Sequence, residues 1–171
     1  IKKTARELGV TLTAHAPYYI NLNAKEQDKI DASINRLLQT ARLAGMCGAY
    51  SMTFHAAFYM KDDPNAVFGI VKKYLNHITG QLRSESNLIH LRPELTGKKS
   101  QFGSLKELCE LSKEVAQVYP CLDFTQVLVG DGINVPIDYK YFLSVFEKYK
   151  KTLGKLASTQ MHIHVGGVEM G

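Results

Sequence analysis

Residues 50–82 read YSMTFHAAFYMKDDPNAVFGIVKKYLNHITGQL and contain one complete strand–loop–helix unit. The apolar run over residues 50–54 predicts a buried strand, and His55 stands at its carboxyl end. Asp63 followed by Pro64 is an N-cap with a proline in the first helical turn, so a helix is expected to begin there. Apolar residues then recur at helical spacing to the end of the stretch. The unit therefore predicts an α/β fold.

The same unit recurs along the rest of the chain. Short apolar runs predict four further strands, over residues 10–14, 88–92, 120–124 and 159–165. A segment with helical periodicity lies between each strand and the next. Two of these helices are expected to begin at capping boxes, formed by Asn23 with Glu26 and by Ser104 with Glu107. A strand every roughly 30–40 residues, each followed by a helix, is typical of right-handed βαβ crossovers and therefore of a parallel sheet.

Composition limits the class of protein. The 171 residues are 45% hydrophobic and 22% charged, which is ordinary for one globular domain. No apolar run approaches the ~20 residues that a membrane span needs, so no membrane partner is expected. The net charge of +5 is compatible with a polyanionic partner without requiring one. The three cysteines (Cys47, Cys109 and Cys121) form no CxxC motif, and this sparse usage predicts a reducing, cytoplasmic location.

Side chains that can bind metal ions stand at the carboxyl end of each predicted strand. They are three histidines and two acids, in chain order His15, His55, Glu94, Asp123 and His162. In a barrel the carboxyl ends of the strands meet at one mouth, so these side chains are expected to converge. Neutral imidazole and carboxylate oxygen are ligands for zinc, manganese or iron. The spacing therefore predicts a metal site.

The remaining histidines have weaker positions. His77 lies on a predicted helix and is expected to be inert. His90 precedes Glu94 by four residues on one strand face, which allows a supporting contact to the site. His164 follows His162 on the same face and lies further toward the mouth. His164 is therefore a metal ligand, a substrate contact or a polar residue of the rim, and the sequence does not choose among these roles.

The segments around these side chains resemble the endonuclease IV family, metal-dependent enzymes that incise DNA at abasic sites. Residues 15–22, His-Ala-Pro-Tyr-Tyr-Ile-Asn-Leu, are similar to the family motif His-x-x-Tyr-x-x-Asn-Leu. Four further matches follow in family order, at residues 53–55, 92–103, 121–124 and 161–164. The resemblance implies an α/β fold of the (β/α)8 TIM-barrel type, in the xylose-isomerase-like superfamily. About five of the eight βα units are expected in residues 1–171, as the central portion of a single domain whose first and last units lie outside the sequence.

The resemblance also implies the metal ligands and the reaction. His15 and His55 are expected to bind one zinc ion, and Glu94 to bridge it to a second ion that Asp123 and His162 also bind. Two or three zinc ions are expected, with manganese as an alternative. The implied reaction is hydrolysis of the DNA phosphodiester 5′ to an abasic site by a metal-activated hydroxide, in base excision repair. Glu94 is the expected catalytic residue.

Four residues are assigned to DNA. Tyr18 matches the family tyrosine that enters the DNA near the lesion, where its ring can stack in place of the missing base. Asn21 belongs to the same motif, and Lys98 and Lys99 follow Glu94 closely enough to meet a phosphate. The expected partner is double-stranded DNA with an abasic site, and the expected oligomeric state is a monomer.

One position departs from the family pattern. The family has a histidine that binds a third zinc ion three residues after the position of Asp123, and this sequence has Gln126. A neutral amide oxygen is a poor zinc ligand, which argues against a complete third metal site.

Two other functions stay open. A sugar isomerase or epimerase of the xylose-isomerase-like barrels holds one divalent metal, which Glu94, Asp123 and His162 can bind. In that case His15 and His55 have no metal to bind. A protein that binds DNA lesions without cleaving them is the third possibility, because a barrel fold alone does not define a reaction.

Overall fold

The computed structural model describes residues 1–131, 138–154, 159 and 161–167. The helices are α1 (Lys2–Glu7), α2 (Gln27–Cys47), α3 (Pro64–Ser84), α4 (Leu105–Glu114), α5 (Phe124–Asp131) and α6 (Tyr139–Leu153). The strands are β1 (Thr13–His15), β2 (Ser51–Phe54), β3 (Ala57–Phe58), β4 (His90–Pro93), β5 (Gln101–Phe102), β6 (Leu122–Asp123) and β7 (Ile163–His164).

The main strands run parallel and neighbour one another in chain order. Strand β1 pairs with β2, and β2 pairs with β4. Two parallel bridges, Leu91 with Val118 and Glu94 with Cys121, then join β4 to the segment that leads into β6. Strand β6 pairs with β7, with Asp123 opposite His164. This order, with helices in the connections, confirms the predicted α/β TIM-barrel fold, of which the chain supplies an arc.

The helices cover the outer side of this arc. Helix α2 packs on α3, and α4 packs on α6. Of the apolar residues predicted to face inward on α3, Val67, Val71, Leu75 and Ile78 are fully buried in the core, and Leu82 joins them, whereas Ile70 and Tyr74 are half-buried. Each of the fully buried side chains contributes roughly 1.5–3 kcal/mol through burial.

Within the described part of the chain, no helix is long and apolar enough to cross a bilayer. The cytoplasmic location, the monomeric state and the single domain stay predictions.

Helix α3 begins as the sequence predicted. The carboxylate oxygen Oδ1 of Asp63 accepts hydrogen bonds from the backbone N–H groups of Asn65 (3.0 Å) and Ala66 (3.1 Å), and Pro64 occupies the first turn. The capping box of Ser104 and Glu107 at the start of α4 is confirmed as well.

Loss of the Asp63 cap is expected to destabilise the fold modestly. Asp63→Ala leaves two N–H groups without their acceptor, and we expect the free energy of unfolding to fall by about 1 kcal/mol. Asp63→Asn is the matched control, because it keeps an acceptor oxygen and should retain most of the stability. Urea denaturation of both variants measures the difference. Equal losses would show that the cap contributes through charge alone.

The capping box predicted at Asn23 is wrong. Helix α2 has Glu26 at its N-cap and no side-chain cap. The amide of Asn23 is buried and donates instead to the backbone oxygens of Phe58 and Tyr59 and to the carboxylate of Asp62. These partners lie in the segment that follows β2. The Asn23 side chain therefore makes a tertiary contact and does not form the helix cap that its spacing predicted.

Two elements near the mouth of the barrel were not expected from periodicity. Strands β3 and β5 form a short antiparallel pair between the loops that follow β2 and β4.

The strand predicted over 120–124 is shorter because Phe124 already begins α5. Oδ1 of Asp123 accepts the N–H of Gln126 at 3.0 Å, which caps that helix. Of the last predicted strand, the described residues form only β7.

Candidate metal centre

Glu94 lies at the centre of the barrel mouth. Its backbone is fixed on both sides, since its N–H donates to the oxygen of Phe54 and the residue bridges to Cys121. The side chain is therefore directed inward, where only 4% of the residue is exposed. A carboxylate buried to this degree requires cationic or hydrogen-bonding partners.

Three histidines supply those partners and divide the two carboxylate oxygens between them. Oε2 of Glu94 lies 3.2 Å from Nε2 of His15 and 3.3 Å from Nε2 of His55. Oε1 lies 2.5 Å from Nδ1 of His164. Burial opposes ionisation of Glu94, but the His15 hydrogen bond and the neighbouring His55 and His164 outweigh it and lower its pKa to about 2. Glu94 is thus a carboxylate with histidine groups on each oxygen.

His15 has the geometry of a metal ligand. Its Nδ1 donates to the backbone oxygen of Ala16 at 2.7 Å, so in the neutral ring the lone pair is on Nε2 and faces Glu94. Two acceptors facing each other need either a proton or a cation between them. The hydrogen bond with Glu94 raises the pKa of His15.

The distances around Oε2 suit a zinc ion. Tetrahedral ligands at 2.0–2.1 Å from zinc lie about 3.3 Å from one another, and the two histidine nitrogens are 3.2 and 3.3 Å from Oε2. Burial lowers the pKa of His55, which favours the neutral imidazole that binds metals. His15, His55 and Glu94 therefore fit one divalent cation.

A second group of ligands shares Glu94 with the first. Ligand atoms of Glu94, Asp123 and His164 all lie within 4.8 Å of one another. Oδ1 of Asp123 caps helix α5, and the second oxygen of that carboxylate makes no hydrogen bond among the described residues. The parallel register explains the third member, because β6 and β7 place Asp123 and His164 opposite each other.

His162 is the predicted ligand that the structure does not bring to Glu94 and Asp123. It lies deeper in the barrel, with Nδ1 3.3 Å from Oγ of Ser51. Burial and the charge of Arg92 lower its pKa to about 4. Its ligand atom lies within 4.8 Å of those of Cys121 and His164, and burial raises the pKa of the Cys121 thiol to about 12. His164 therefore replaces His162 in the geometry of the centre.

The predicted DNA residues occupy different places. Tyr18 is 79% exposed, its ring lies 5.7 Å from that of His15, and it lines a cavity of about 520 Å³ over the candidate ligands. Lys98 lines this cavity and also a neighbouring one, whereas Lys99 lines the neighbouring cavity and not this one. Oδ1 of Asn21 accepts the backbone N–H groups of Asn23 and Phe58, so this residue holds the loop and its oxygen is already engaged.

Residue Gln126 also stands in the wall of this cavity. Its Oε1 accepts the backbone N–H of Gly97 at 3.2 Å. The amide oxygen that would face a third metal ion is thus used to hold the loop after β4.

The sequence analysis did not single out Arg92, which lies deeper in the barrel than Glu94. Its side chain is fully buried, its guanidinium lies 5.6 Å from the rings of Tyr50 and Tyr119, and it donates to the oxygen of Pro120 at 3.2 Å. Strand parity gave a signal, since Arg92 lies two residues before Glu94 and shares its inward face.

His90 packs on Tyr119 and does not line the cavity over the candidate ligands, and His77 is exposed on α3.

The fold and these side chains define a (β/α) barrel with a candidate metal centre at its mouth. Residues 1–170 match the xylose isomerase-like TIM barrel family, and the chain belongs to that family. It is 37% identical over 171 residues to the uncharacterized protein MJ0133 of Methanocaldococcus jannaschii, covering 99% of this chain and 62% of that protein.

Solved structures with this fold include both a nuclease and sugar epimerases. Endonuclease IV from Thermus thermophilus superposes with a TM-score of 0.69 at 22% identity, over 88% of this chain and 52% of that one. D-psicose 3-epimerase from Clostridium cellulolyticum gives 0.66 at 12% identity, over 99% and 69%. At these identities the likeness establishes the fold alone. The chain spans about half to two thirds of the length of these proteins.

Proposed function

We propose that this chain carries the metal-binding part of an endonuclease that hydrolyses DNA 5′ to abasic sites. The observation that carries the proposal is the division of the Glu94 oxygens, with His15 and His55 at Oε2 and His164 at Oε1. A carboxylate with ligand groups on both oxygens suits two cations held side by side, the arrangement of two-metal phosphodiester hydrolysis.

The residues of the chain have distinct parts in this proposal. His15, His55 and Glu94 hold one zinc ion, and Glu94, Asp123 and His164 hold the other, with manganese as an alternative. When bound, such ions supply an activated water and positive charge for the phosphate. Tyr18 projects from the rim where its exposed ring can stack on a base or fill the gap of a missing one.

A duplex oligonucleotide with one abasic analogue tests the proposal. The protein loaded with zinc or manganese is expected to cut the labelled strand once, 5′ to the analogue, and to leave the matched intact duplex uncut. Removal of the metal with a chelator should stop the cleavage, and added zinc should restore it. Tight binding of the abasic duplex with no cleavage under either metal would instead support a lesion-binding protein.

A sugar isomerase or epimerase is the second candidate. Glu94, Asp123 and His164 form by themselves a set for one divalent metal. Under this reading the activity depends on those three residues and survives His15→Ala and His55→Ala. Metal-dependent turnover of a ketose by both variants, together with no incision of abasic DNA, would favour the sugar enzyme over the nuclease.

A further inference from the structure

Gln126 links a metal ligand to the loop that follows β4. Its backbone N–H donates to Oδ1 of Asp123, and its side-chain Oε1 accepts the N–H of Gly97. The loop packs directly on the helix backbone at this point, because a Cβ on Gly97 would overlap the backbone oxygen of Gln126 and the N of Gly130. The loop is therefore seated on α5.

The other side of the loop is fixed by its own hydrogen bonds. The N–H of Lys98 donates to Oγ1 of Thr96, and that hydroxyl donates to Oε1 of Gln101. The backbone N–H of Gln101 donates a hydrogen bond to the backbone oxygen of Lys98 at 3.0 Å. The backbone of Lys98 is thus held on both sides, although its side chain is exposed.

Lys98 borders the candidate metal centre. It lines the cavity of about 520 Å³ together with Glu94, Asp123 and His164. Among the residues that the structure describes, Lys98 makes no ion pair with a carboxylate. Its ammonium group is available to an anion in the cavity.

We propose that Lys98, positioned by the contact between Gln126 and Gly97, supplies the third cationic group of this centre and binds a phosphate oxygen beside two metal ions. This inference rests on the proposed function and adds the group that replaces a third metal. Lysine provides a compact point charge that suits a phosphate oxygen. Gln126 is then a positioning residue, and its amide does not need to bind a metal.

Inorganic phosphate is the probe for Lys98, with two matched variants of the zinc-loaded protein. Lys98→Met is expected to raise the Kd of phosphate at least about tenfold, the loss of one charge-assisted hydrogen bond. Lys99→Met removes the same charge from the next residue, which lines the neighbouring cavity, and should change the Kd less than about twofold. Zinc content should be unchanged in both. Equal effects of the two variants, or no phosphate binding by the wild-type protein, would overturn the proposal.

A double-mutant cycle tests the role of Gln126. Gln126→Met keeps the length of the side chain and removes the acceptor, and we expect phosphate affinity to fall about threefold with the zinc content unchanged. If Gln126 acts through Lys98, the same change should have no further effect in the Lys98→Met protein. Additive losses would indicate a general structural role, and a loss of zinc would identify Gln126 as a ligand; either result contradicts the positioning role.

The phosphate experiment and the incision experiment fail separately. Phosphate binding weakened by Lys98→Met, in a protein that does not cut abasic DNA, would leave the lysine site standing and remove the nuclease. If the protein cuts abasic DNA but its two lysine variants bind phosphate equally, the nuclease proposal stands and the Lys98 proposal is lost.

Discussion

Glu94→Gln is expected to remove metal binding and incision together. The variant keeps the size of the side chain, but it loses the negative charge and replaces one oxygen with an NH2 group. Both proposed ions lose a ligand at once, because the two oxygens face different histidines. We expect less than one equivalent of zinc and a fall in the incision rate on the order of a thousandfold, since metal activation is worth several kcal/mol.

Elemental analysis of the purified protein and single-turnover incision measure the two effects. Glu110→Gln is the control, because it makes the same chemical change on α4 outside the metal cavity. It should retain both zinc and activity. A Glu94→Gln protein with its full zinc content would show that Glu94 does not bridge two ions, and the two-metal proposal would then be abandoned.

Replacement of His164 is expected to have the second largest effect, and replacement of His162 a much smaller one. Asp123 and His164 lie opposite each other, and Nδ1 of His164 contacts Glu94. His164→Ala should therefore cost one of the two ions and reduce incision about a hundredfold or more. His162→Ala should keep both ions, because its Nδ1 lies 3.3 Å from Oγ of Ser51 and His162 is in neither of the candidate ligand groups that contain Glu94.

The two histidine variants control for each other, since both remove an imidazole from the same end of the barrel. Zinc content and incision rate are measured for both, with thermal unfolding as a check on the fold. The reverse pattern, with zinc lost from His162→Ala and kept by His164→Ala, would restore the ligand that the family resemblance implied.

The barrel and the group of its candidate ligands were predictable because each depends on local pattern. The helical stripe of α3 and the Asp63 cap follow from spacing that neighbouring residues along the chain determine. His15, His55, Glu94 and Asp123 stand at strand ends, and a parallel barrel brings every strand end to one mouth. Their convergence therefore follows once the strands are located.

The choice between His162 and His164 needed the paired strands. Both residues have the same parity on one strand, so the alternation of side chains cannot separate them. The register of β7 against β6 sets which of them stands opposite Asp123, and that register depends on hydrogen bonds between strands. The same holds for Asn21 and Asn23, whose side chains hold loops together through partners more than thirty residues away.

The sequence by itself determined that this chain forms alternating strands and helices with candidate metal ligands at the strand ends, because those properties arise from spacing along the chain. Only the tertiary structure decided which oxygen of Glu94 meets which histidine, that His164 joins the centre, and that Gln126 holds the Lys98 loop. These features depend on distances between atoms of different strands and loops. The physical reason is that the range of a hydrogen bond or a metal–ligand contact is a few ångströms in space, which separation along the chain does not specify.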